Sequence, residues 1–313
     1  MARFELALEN DRWLNLPDFI EFCLAYKNQD IIIDVINEGH CLRYCGVYDI
    51  LEKFNFLSVK IYTSNALEEH AVFQIEKRWD IWLNNMKLFD NNFDHAWNQK
   101  KIFGCFYGRP SAPRLGIAAH LLSHYSEKSF VVTKFDFFKE DERQHFDIER
   151  LFTWHPDSIK NLFLLQMNDT GKSIGYMKGR YLSNELSKEY TNFLIDIVSE
   201  PSCSGNAFYP TEKIVRAILC KRPFIVMGNK NYLLYLRQIG FKTFYEFWDE
   251  DYDGVDENLR YIKILKLIDQ IGSLDFTKIK RLYENMQHII EHNYQLLKTR
   301  SYQGIITKVS DDY

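Results

Sequence analysis

The sequence predicts an α/β protein of two domains, each built around a parallel sheet. Short apolar runs of strand length alternate with segments whose apolar residues recur at helical spacing. The 313 residues are enough for two domains with separate cores. Because strands joined through helices pair in parallel, ligands should bind at the carboxyl ends of the strands. A charged segment, 134–150, marks the expected boundary between domains 1–140 and 141–313.

The composition is that of a soluble globular protein. Hydrophobic residues make up 46% of the chain and charged residues 26%, which argues against a disordered protein. The net charge of −4 gives no overall attraction to nucleic acid or to anionic membranes. No apolar run approaches the roughly 20 residues that a membrane-spanning helix needs. Acidic residues near the N-terminus argue against a signal peptide, so we expect a cytoplasmic protein whose six cysteines are reduced.

The N-terminal domain is expected to alternate strands and helices. Each predicted strand is a short, mostly apolar run, and each predicted helix has an amphipathic pattern. In chain order we predict helix 16–26, strand 31–36, helix 44–54, strand 58–62, strand 101–107, helix 115–125 and strand 129–133.

Two candidate catalytic residues follow the strand 31–36. Glu38 and His40 should lie at the carboxyl edge of the first sheet, where α/β proteins bind ligands. A carboxylate or an imidazole at such an edge can act as a general base, and either side chain could serve. The alternative is that 38–40 is only a turn that leads to the next helix.

Two arginines lie in a proline-containing loop between strand 101–107 and helix 115–125. Arg109 and Arg114 would be placed at the edge where α/β proteins bind ligands. A guanidinium can hold a phosphate through two parallel hydrogen bonds, so we consider both as phosphate ligands. The alternative is that the prolines stiffen this loop and both arginines are solvated.

The C-terminal domain is organised around the segment 193–244. Its first strand is an apolar run interrupted only by Asp196, and a loop rich in Ser, Pro and Gly follows. In chain order we predict helix 182–192, strand 193–198, a helix that opens after Thr211, strand 224–227, helix 231–239, strand 241–244, and helices 257–271 and 276–297.

The start of the helix after Thr211 predicts a phosphate site. Thr211 is a typical N-cap residue, which puts Glu212 and Lys213 in the first helical turn. A lysine there opposes the helix dipole at a cost of roughly a few tenths of a kcal/mol, unless an anion binds nearby. The free N–H groups of a helix start bind phosphate well, and a neighbouring carboxylate can accept hydrogen bonds from ribose hydroxyls.

The motifs of this segment resemble the donor-binding half of fucosyltransferases of the GT-B type. Similar motifs occur in glycosyltransferase-like proteins of phages and other viruses. The resemblance covers about fifty residues, and its motifs are Glu200-x-Ser202, Tyr209-x-Thr211-Glu212-Lys213 and Pro223-x-x-x-x-Gly228. It implies two Rossmann-like domains facing a cleft, with a C-terminal helix packing back across them. One departure is Pro201, where the family commonly has Asn.

The resemblance also implies roles for the site residues. Lys213 would hold the diphosphate of a nucleotide-sugar donor, and Glu212 would bind its ribose. Thr211 would open the helix at this site, and Glu200 would lie beside the donor sugar or nucleotide. Arginines near the cleft, for which Arg109 and Arg114 are our candidates, would assist with the diphosphate.

The predicted function is therefore glycosyl transfer from a GDP- or UDP-linked sugar to a hydroxyl acceptor. The acceptor would be a glycan or a modified DNA base of a phage, and the enzyme would need no metal or other cofactor. Phe208 stands where retaining enzymes carry the second Glu of a Glu-x7-Glu pair, which favours inversion. The alternative is a non-catalytic nucleotide- or ligand-binding module, which Pro201 favours. The sequence leaves the oligomeric state open.

Four other patterns match chemical motifs only in part. A P-loop-like end at 170–173 has Gln166 in place of the first glycine, and 171–175 matches the elbow of serine hydrolases, but a plain loop is expected. The acidic turn 249–254 lacks the final ligand of a calcium loop and should be solvated. His120 and His124 share a helical face without a nameable third ligand, so we expect a surface pair.

Overall fold

The computed structural model describes residues 1–9, 11–35, 38–86, 96–133, 142–167 and 184–300. Within these ranges the chain forms two four-stranded parallel sheets and one short antiparallel hairpin. Helices flank both sheets, and a C-terminal helix packs back onto the second sheet's helices. The predicted α/β class with two Rossmann-like sheets is confirmed.

The first sheet is built from residues before position 78. Its strands are β1 (Ala2–Glu5), β4 (Asp30–Val35), β5 (Ser58–Thr63) and β6 (Gln74–Lys77), in that spatial order. A hairpin of β2 (Leu8–Glu9) and β3 (Arg12–Trp13) follows β1. Ile31, Ile33 and Ile61 are fully buried in the core beneath this sheet, as their alternating pattern requires.

The second sheet contains two strands that the sequence assigned to the N-terminal domain. Its order is β10 (Phe224–Met227), β9 (Phe193–Ser199), β7 (Lys101–Tyr107) and β8 (Ser129–Thr133). The two sheets therefore divide the chain between residues 77 and 101, and the predicted boundary at 140 does not separate them. Every residue of β7 from Ile102 to Tyr107 is buried, which suits a central strand covered on both faces.

The predicted helices agree with the observed bounds to within a few residues, whereas Ile81–Met86, Glu142–Trp154 and Phe163–Met167 are helices for which no bounds were predicted. The first group comprises α1 (Leu16–Ala25), α2 (Val47–Leu51), α3 (Ile81–Met86), α4 (Ala112–Tyr125), α5 (Glu142–Trp154) and α6 (Phe163–Met167). The second comprises α7 (Asn184–Glu189), α8 (Glu212–Leu219), α9 (Tyr232–Gln238), α10 (Glu257–Gly272) and α11 (Phe276–Thr299).

The predicted strand 241–244 is wrong, because this segment is a loop. Phe241 and Phe244 are buried in the core, which explains the apolar pattern. The backbone N–H and C=O of Lys242 bind the side-chain amide of Asn293 on α11, each at 2.8 Å. A side chain thus satisfies the backbone groups that a neighbouring strand would otherwise bind.

Loops at the carboxyl ends of the two sheets contact each other directly. The amide of Asn65, which follows β5, donates to the carbonyl of Asn206 at 3.2 Å and accepts from the N–H of Phe208 at 3.0 Å. The backbone N–H of Ala66 donates to the carbonyl of Phe208 at 2.9 Å. These bonds join the loop after β5 to the loop between β9 and α8.

None of the helices in the described ranges combines the length and the apolar character needed to cross a bilayer.

Candidate functional site

The site is built around the start of α8, where the sequence predicted it. Thr211 has extended backbone angles, φ −90° and ψ −178°, and its hydroxyl oxygen accepts from the N–H of Lys213 at 3.2 Å. This is the N-cap arrangement that threonine favours, because the side chain satisfies one of the free N–H groups of the first turn. Thr211 thereby places Glu212 and Lys213 at the carboxyl edge of the second sheet.

Glu200, which follows β9, holds this helix start in position. One carboxylate oxygen accepts from the hydroxyl of Tyr232 at 2.6 Å and from the N–H of Thr211 at 3.3 Å. The other accepts from the Thr211 hydroxyl. Burial raises the pKa of Glu200, although Lys213 and these hydrogen bonds act in the opposite direction. Contact of Glu200 with a donor sugar stays a prediction.

Glu212 and Lys213 form an ion pair that is only partly exposed. The Lys213 Nζ lies 3.0 Å from Glu212 Oε1 and donates to the Thr211 hydroxyl at 3.3 Å. Burial tends to raise the pKa of Glu212, but Lys213 and Arg216 lower it to about 2. Glu212 is therefore ionised at neutral pH, and its carboxylate lies beside the Lys213 side chain at the start of the helix.

Glu38 approaches this pair from the first sheet. Although burial opposes the effect, His40, Lys213 and Arg109 all lower the pKa of Glu38. Arg109, whose side chain is 55% exposed, binds Glu9 at 2.7 Å and lies 3.5 Å from Glu38. The structure thus brings Glu38, Arg109 and Lys213 into one charged cluster, although they are far apart in sequence.

Gly39 lets the loop after β4 pass close to the loop before α8. A Cβ atom on Gly39 would lie 2.2 Å from the Cβ of Tyr209, in the loop just before Thr211. Only glycine allows the loop after β4 to pass so near. This contact keeps Glu38 close to the start of α8.

His40 is buried between two carboxylates. Its Nδ1 lies 2.9 Å from Asp11 Oδ1, and its Nε2 lies 3.2 Å from Glu38 Oε2. Burial lowers the pKa of the imidazole, but the two carboxylates outweigh it and raise the pKa to about 9. Such an imidazole carries a proton at neutral pH, which leaves Glu38 as the better candidate for a general base.

Asp11 is a residue of this cluster that sequence reasoning missed. Its Oδ1 also accepts from the hydroxyl of Ser202, in the loop after β9, at 2.6 Å. No motif surrounds Asp11, which lies in the short turn between β2 and β3, and its partner His40 is 29 residues away. Only the contact between Asp11 and His40 identifies Asp11 as a site residue, and that contact forms when the chain folds.

Arg114 does not bring its guanidinium to the charged cluster. It is 5% exposed and donates to the carbonyls of Ser199 at 2.9 Å, Glu200 at 3.2 Å and Arg109 at 3.3 Å. These bonds hold the end of β9 and the proline loop together. In this structure Arg114 supports the site, and Arg109 is the arginine that remains accessible.

The two arginines should therefore differ when each is replaced by alanine. Arg114→Ala leaves the buried carbonyls of Ser199 and Glu200, and the carbonyl of Arg109, without this donor, and we expect a loss of about 2–3 kcal/mol in the free energy of unfolding. Arg109→Ala removes a half-exposed ion pair and should cost less than about 1 kcal/mol. Urea denaturation of both variants measures the difference, and equal losses would contradict these roles.

A cavity of about 230 Å³ opens at the same carboxyl edge. It lies among the loops after β9 and β10 and the start of α10, and is lined by Gly205, Asn206, Lys230, Asn231 and Glu257 among others. Glu257 is held by Arg150 at 2.8 Å. The cavity combines backbone, amide and charged groups, which suits a polar ligand.

The acidic turn 249–254 is solvated only in part. Asp249 and Asp251 are exposed, as predicted. Asp253 is buried, and its two carboxylate oxygens accept from the N–H groups of Leu233 and Leu234 at 2.9 and 3.0 Å, so that it caps α9. Glu250 accepts from the N–H of Phe244 at 2.7 Å, so these two carboxylates bind backbone donors and the expectation of a solvated turn fails for them.

The histidine pair and the two glycine-containing motifs of the sequence remain. His120 binds Asp269 at 2.7 Å and stacks on His124 with ring centres 4.5 Å apart. The segments 170–173 and 171–175 lie outside the described residues.

Comparison with known proteins gives distant structural likenesses. No protein-family model matches the chain, and no curated protein matches it significantly. A crystal structure of an α1,3-fucosyltransferase is similar with a TM-score of 0.35 and 11% identity, over 94% of this chain and 99% of that chain. A glycosyltransferase from Rickettsia africae is similar with a TM-score of 0.34 and 11% identity, over 91% of this chain and 78% of that chain.

Proposed function

We propose that this protein transfers a sugar from a nucleoside-diphosphate donor, GDP- or UDP-linked, to a hydroxyl acceptor. The observation that carries the proposal is the charged cluster at the start of α8. There Lys213 and the N–H groups of the first turn lie near Glu38, which follows β4 of the first sheet, and Arg109, which follows β7 of the second. A cation, a helix start and an ionised carboxylate are the groups that such a transfer requires.

The donor diphosphate would bind at the start of α8. Lys213 is now paired with Glu212, and a diphosphate would draw its ammonium group away because two phosphates carry more negative charge than one carboxylate. Glu212 would then be available to accept hydrogen bonds from the ribose. Arg109 is exposed enough to turn from Glu9 toward the phosphates.

Glu38 would act on the acceptor. In the transfer, the bond between the sugar carbon and the diphosphate oxygen breaks, and a bond to the acceptor oxygen forms. Glu38 takes the proton of the acceptor hydroxyl, while Lys213 stabilises the negative charge on the leaving diphosphate. A single displacement of this kind inverts the configuration of the sugar carbon and draws its base and its cation from the protein. The acceptor, a glycan or a modified DNA base of a phage, and the cytoplasmic location stay predictions.

A non-catalytic nucleotide-binding module is the second candidate. It is favoured by the ion pairs that Glu38 forms with His40 and Arg109, because they occupy the carboxylate that an acceptor hydroxyl would need. It predicts binding of a nucleoside diphosphate without turnover. The two candidates therefore differ in one measurable event, the release of nucleotide from a sugar donor.

Calorimetry with GDP and UDP tests the shared phosphate site. We expect Lys213→Ala to weaken binding by about 10–100-fold, since a charged hydrogen bond of this kind contributes about 1.5–3 kcal/mol. Lys221→Ala is the matched control, because Lys221 is paired with Glu291 on α11. If wild-type protein binds neither nucleotide, or if the two variants behave alike, the phosphate site is refuted.

Release of nucleotide from a sugar donor then distinguishes the transferase from the non-catalytic binding module. Wild-type protein is incubated with each GDP- and UDP-sugar and an acceptor mixture, and free nucleotide is measured. The enzyme predicts release by wild type and loss of release in Glu38→Gln, with donor binding retained. Binding without release from any donor would favour the module.

A further inference from the structure

Three side chains with metal-binding atoms meet beneath the charged cluster. A carboxylate oxygen of Asp11, a ring nitrogen of His40 and the sulfur of Cys45 lie within 4.8 Å of one another. His40 is 1% exposed, Cys45 8% and the Asp11 side chain 4%. Carboxylate oxygen, imidazole nitrogen and thiolate sulfur are the ligand atoms that Zn²⁺ binds in proteins.

Asp11 has an unsatisfied oxygen at this place. Its Oδ2 is buried and has no hydrogen-bond partner among the described residues. Its backbone also adopts φ 63°, in the left-handed region that non-glycine residues rarely occupy. A buried carboxylate oxygen without a partner is destabilising. A bound cation would give Oδ2 of Asp11 a partner and would explain why the oxygen is buried there.

We infer that Asp11, His40 and Cys45 form a binding site for a divalent transition metal, with Zn²⁺ as the preferred ion. Zn²⁺ binds thiolate, imidazole and carboxylate at about 2.0–2.3 Å, so tetrahedral ligand atoms lie about 3.5 Å apart. To reach this geometry, ligand atoms now up to 4.8 Å apart would approach by about 1 Å, and Nδ1 of His40 would move slightly away from Oδ1 of Asp11, which now lies at 2.9 Å. Hard cations such as Mg²⁺ and Ca²⁺ prefer oxygen ligands alone and fit this group poorly.

The neighbours of the three ligands suit this role. Metal-bound histidines usually donate their other ring N–H to a carboxylate, and Glu38 lies 3.2 Å from Nε2 of His40. Ser202, which donates to Asp11 at 2.6 Å, is placed to supply the fourth ligand or to hold a water there. Because Ser202 belongs to the loop after β9, the ion would tie the second sheet to the first.

The charges balance on binding. Asp11 contributes one negative charge, and Cys45 contributes a second when its thiol loses a proton to solvent. His40 gives up its extra proton and binds through Nδ1 as a neutral ring. One divalent ion thus replaces two protons, and the net charge of the buried group is unchanged.

Cobalt titration tests the site in the full-length protein. After treatment with a chelator and its removal, Co²⁺ is added to the wild type and the absorption spectrum is recorded. We expect one ion per chain, a sulfur-to-cobalt charge-transfer band and the visible bands of tetrahedral Co²⁺. Zn²⁺ should displace the cobalt, and at a hundredfold excess over its dissociation constant it should raise the Tm by about 4–8 °C.

Two cysteine variants provide the comparison. Cys45→Ser should lose the charge-transfer band and bind Zn²⁺ at least about tenfold more weakly. Cys23→Ser, which changes a buried cysteine of α1, should behave like the wild type. Near-ultraviolet circular dichroism checks that both variants fold. A wild type without a cobalt–sulfur band, or an unchanged band in Cys45→Ser, overturns the inference. No donor nucleotide enters this experiment, so its outcome is independent of the proposed transferase activity.

Discussion

Asp196→Asn is expected to gain stability relative to the wild type as the pH rises. Asp196 is a buried residue of β9, where burial raises the pKa of its carboxyl group to about 7 although Arg216, Tyr190 and Arg222 act against the shift. Because the folded protein holds this proton more tightly than the unfolded chain, the wild type loses stability as the pH rises from about 4 through 7. Asparagine does not titrate, so the variant does not share this loss.

The expected size of the stability difference follows from the width of the pH range over which Asp196 titrates. Between pH 5 and the folded pKa, the wild type loses about 1.4 kcal/mol per pH unit, so the difference between the two proteins should grow by about 3 kcal/mol from pH 5 to pH 8. Urea denaturation at several pH values measures it. Asp157→Asn, which changes an exposed carboxylate, is the control and should not reproduce the effect. Parallel pH profiles for Asp196→Asn and wild type would contradict the prediction.

Glu200→Ala is expected to be one of the most destabilising single changes at the site. The alanine would leave the Tyr232 hydroxyl and both the N–H and the hydroxyl of Thr211 without their acceptor. We expect a loss of about 3–5 kcal/mol in the free energy of unfolding, because unsatisfied buried donors bear their full desolvation cost.

Glu200→Gln separates this hydrogen-bonding role from simple loss of volume. Glutamine keeps the length of the side chain and one strong acceptor oxygen, so it should lose only about 1–2 kcal/mol. Urea denaturation compares the two variants under the same conditions. Equal losses for alanine and glutamine would show that the hydrogen bonds of Glu200 contribute little.

Local patterns predicted β4, β5 and β7 to β10, but not the short strands β1, β2, β3 and β6, and not which sheet each strand joins. The bounds of 101–107, 129–133 and 224–227 were predicted correctly, because a buried parallel strand is a continuous apolar run with polar ends. Strand order depends on pairing between distant segments. For this reason β7 was assigned to the wrong half of the chain, although its own limits were right.

The same distinction holds for the candidate site. Thr211 as N-cap was predicted because its partner is the N–H two residues later. The bonds of Glu200 to Tyr232 and of Arg114 to Ser199 join residues 32 and 85 positions apart, and nothing in the local sequence specifies them. The sequence predicted Glu200 and Arg114 as site residues, and the structure adds the contacts through which they support the site.

Asn65 has a consequence for the kinetics of any reaction at this site. Its amide bonds to the 206–208 loop, together with the bond from Ala66 to Phe208, cross from one sheet edge to the other. Under the proposed transferase function, an acceptor that entered between these two loops would have to break the bonds and restore them in every cycle. The rate of that opening would then set an upper limit on turnover, however fast the chemical step became.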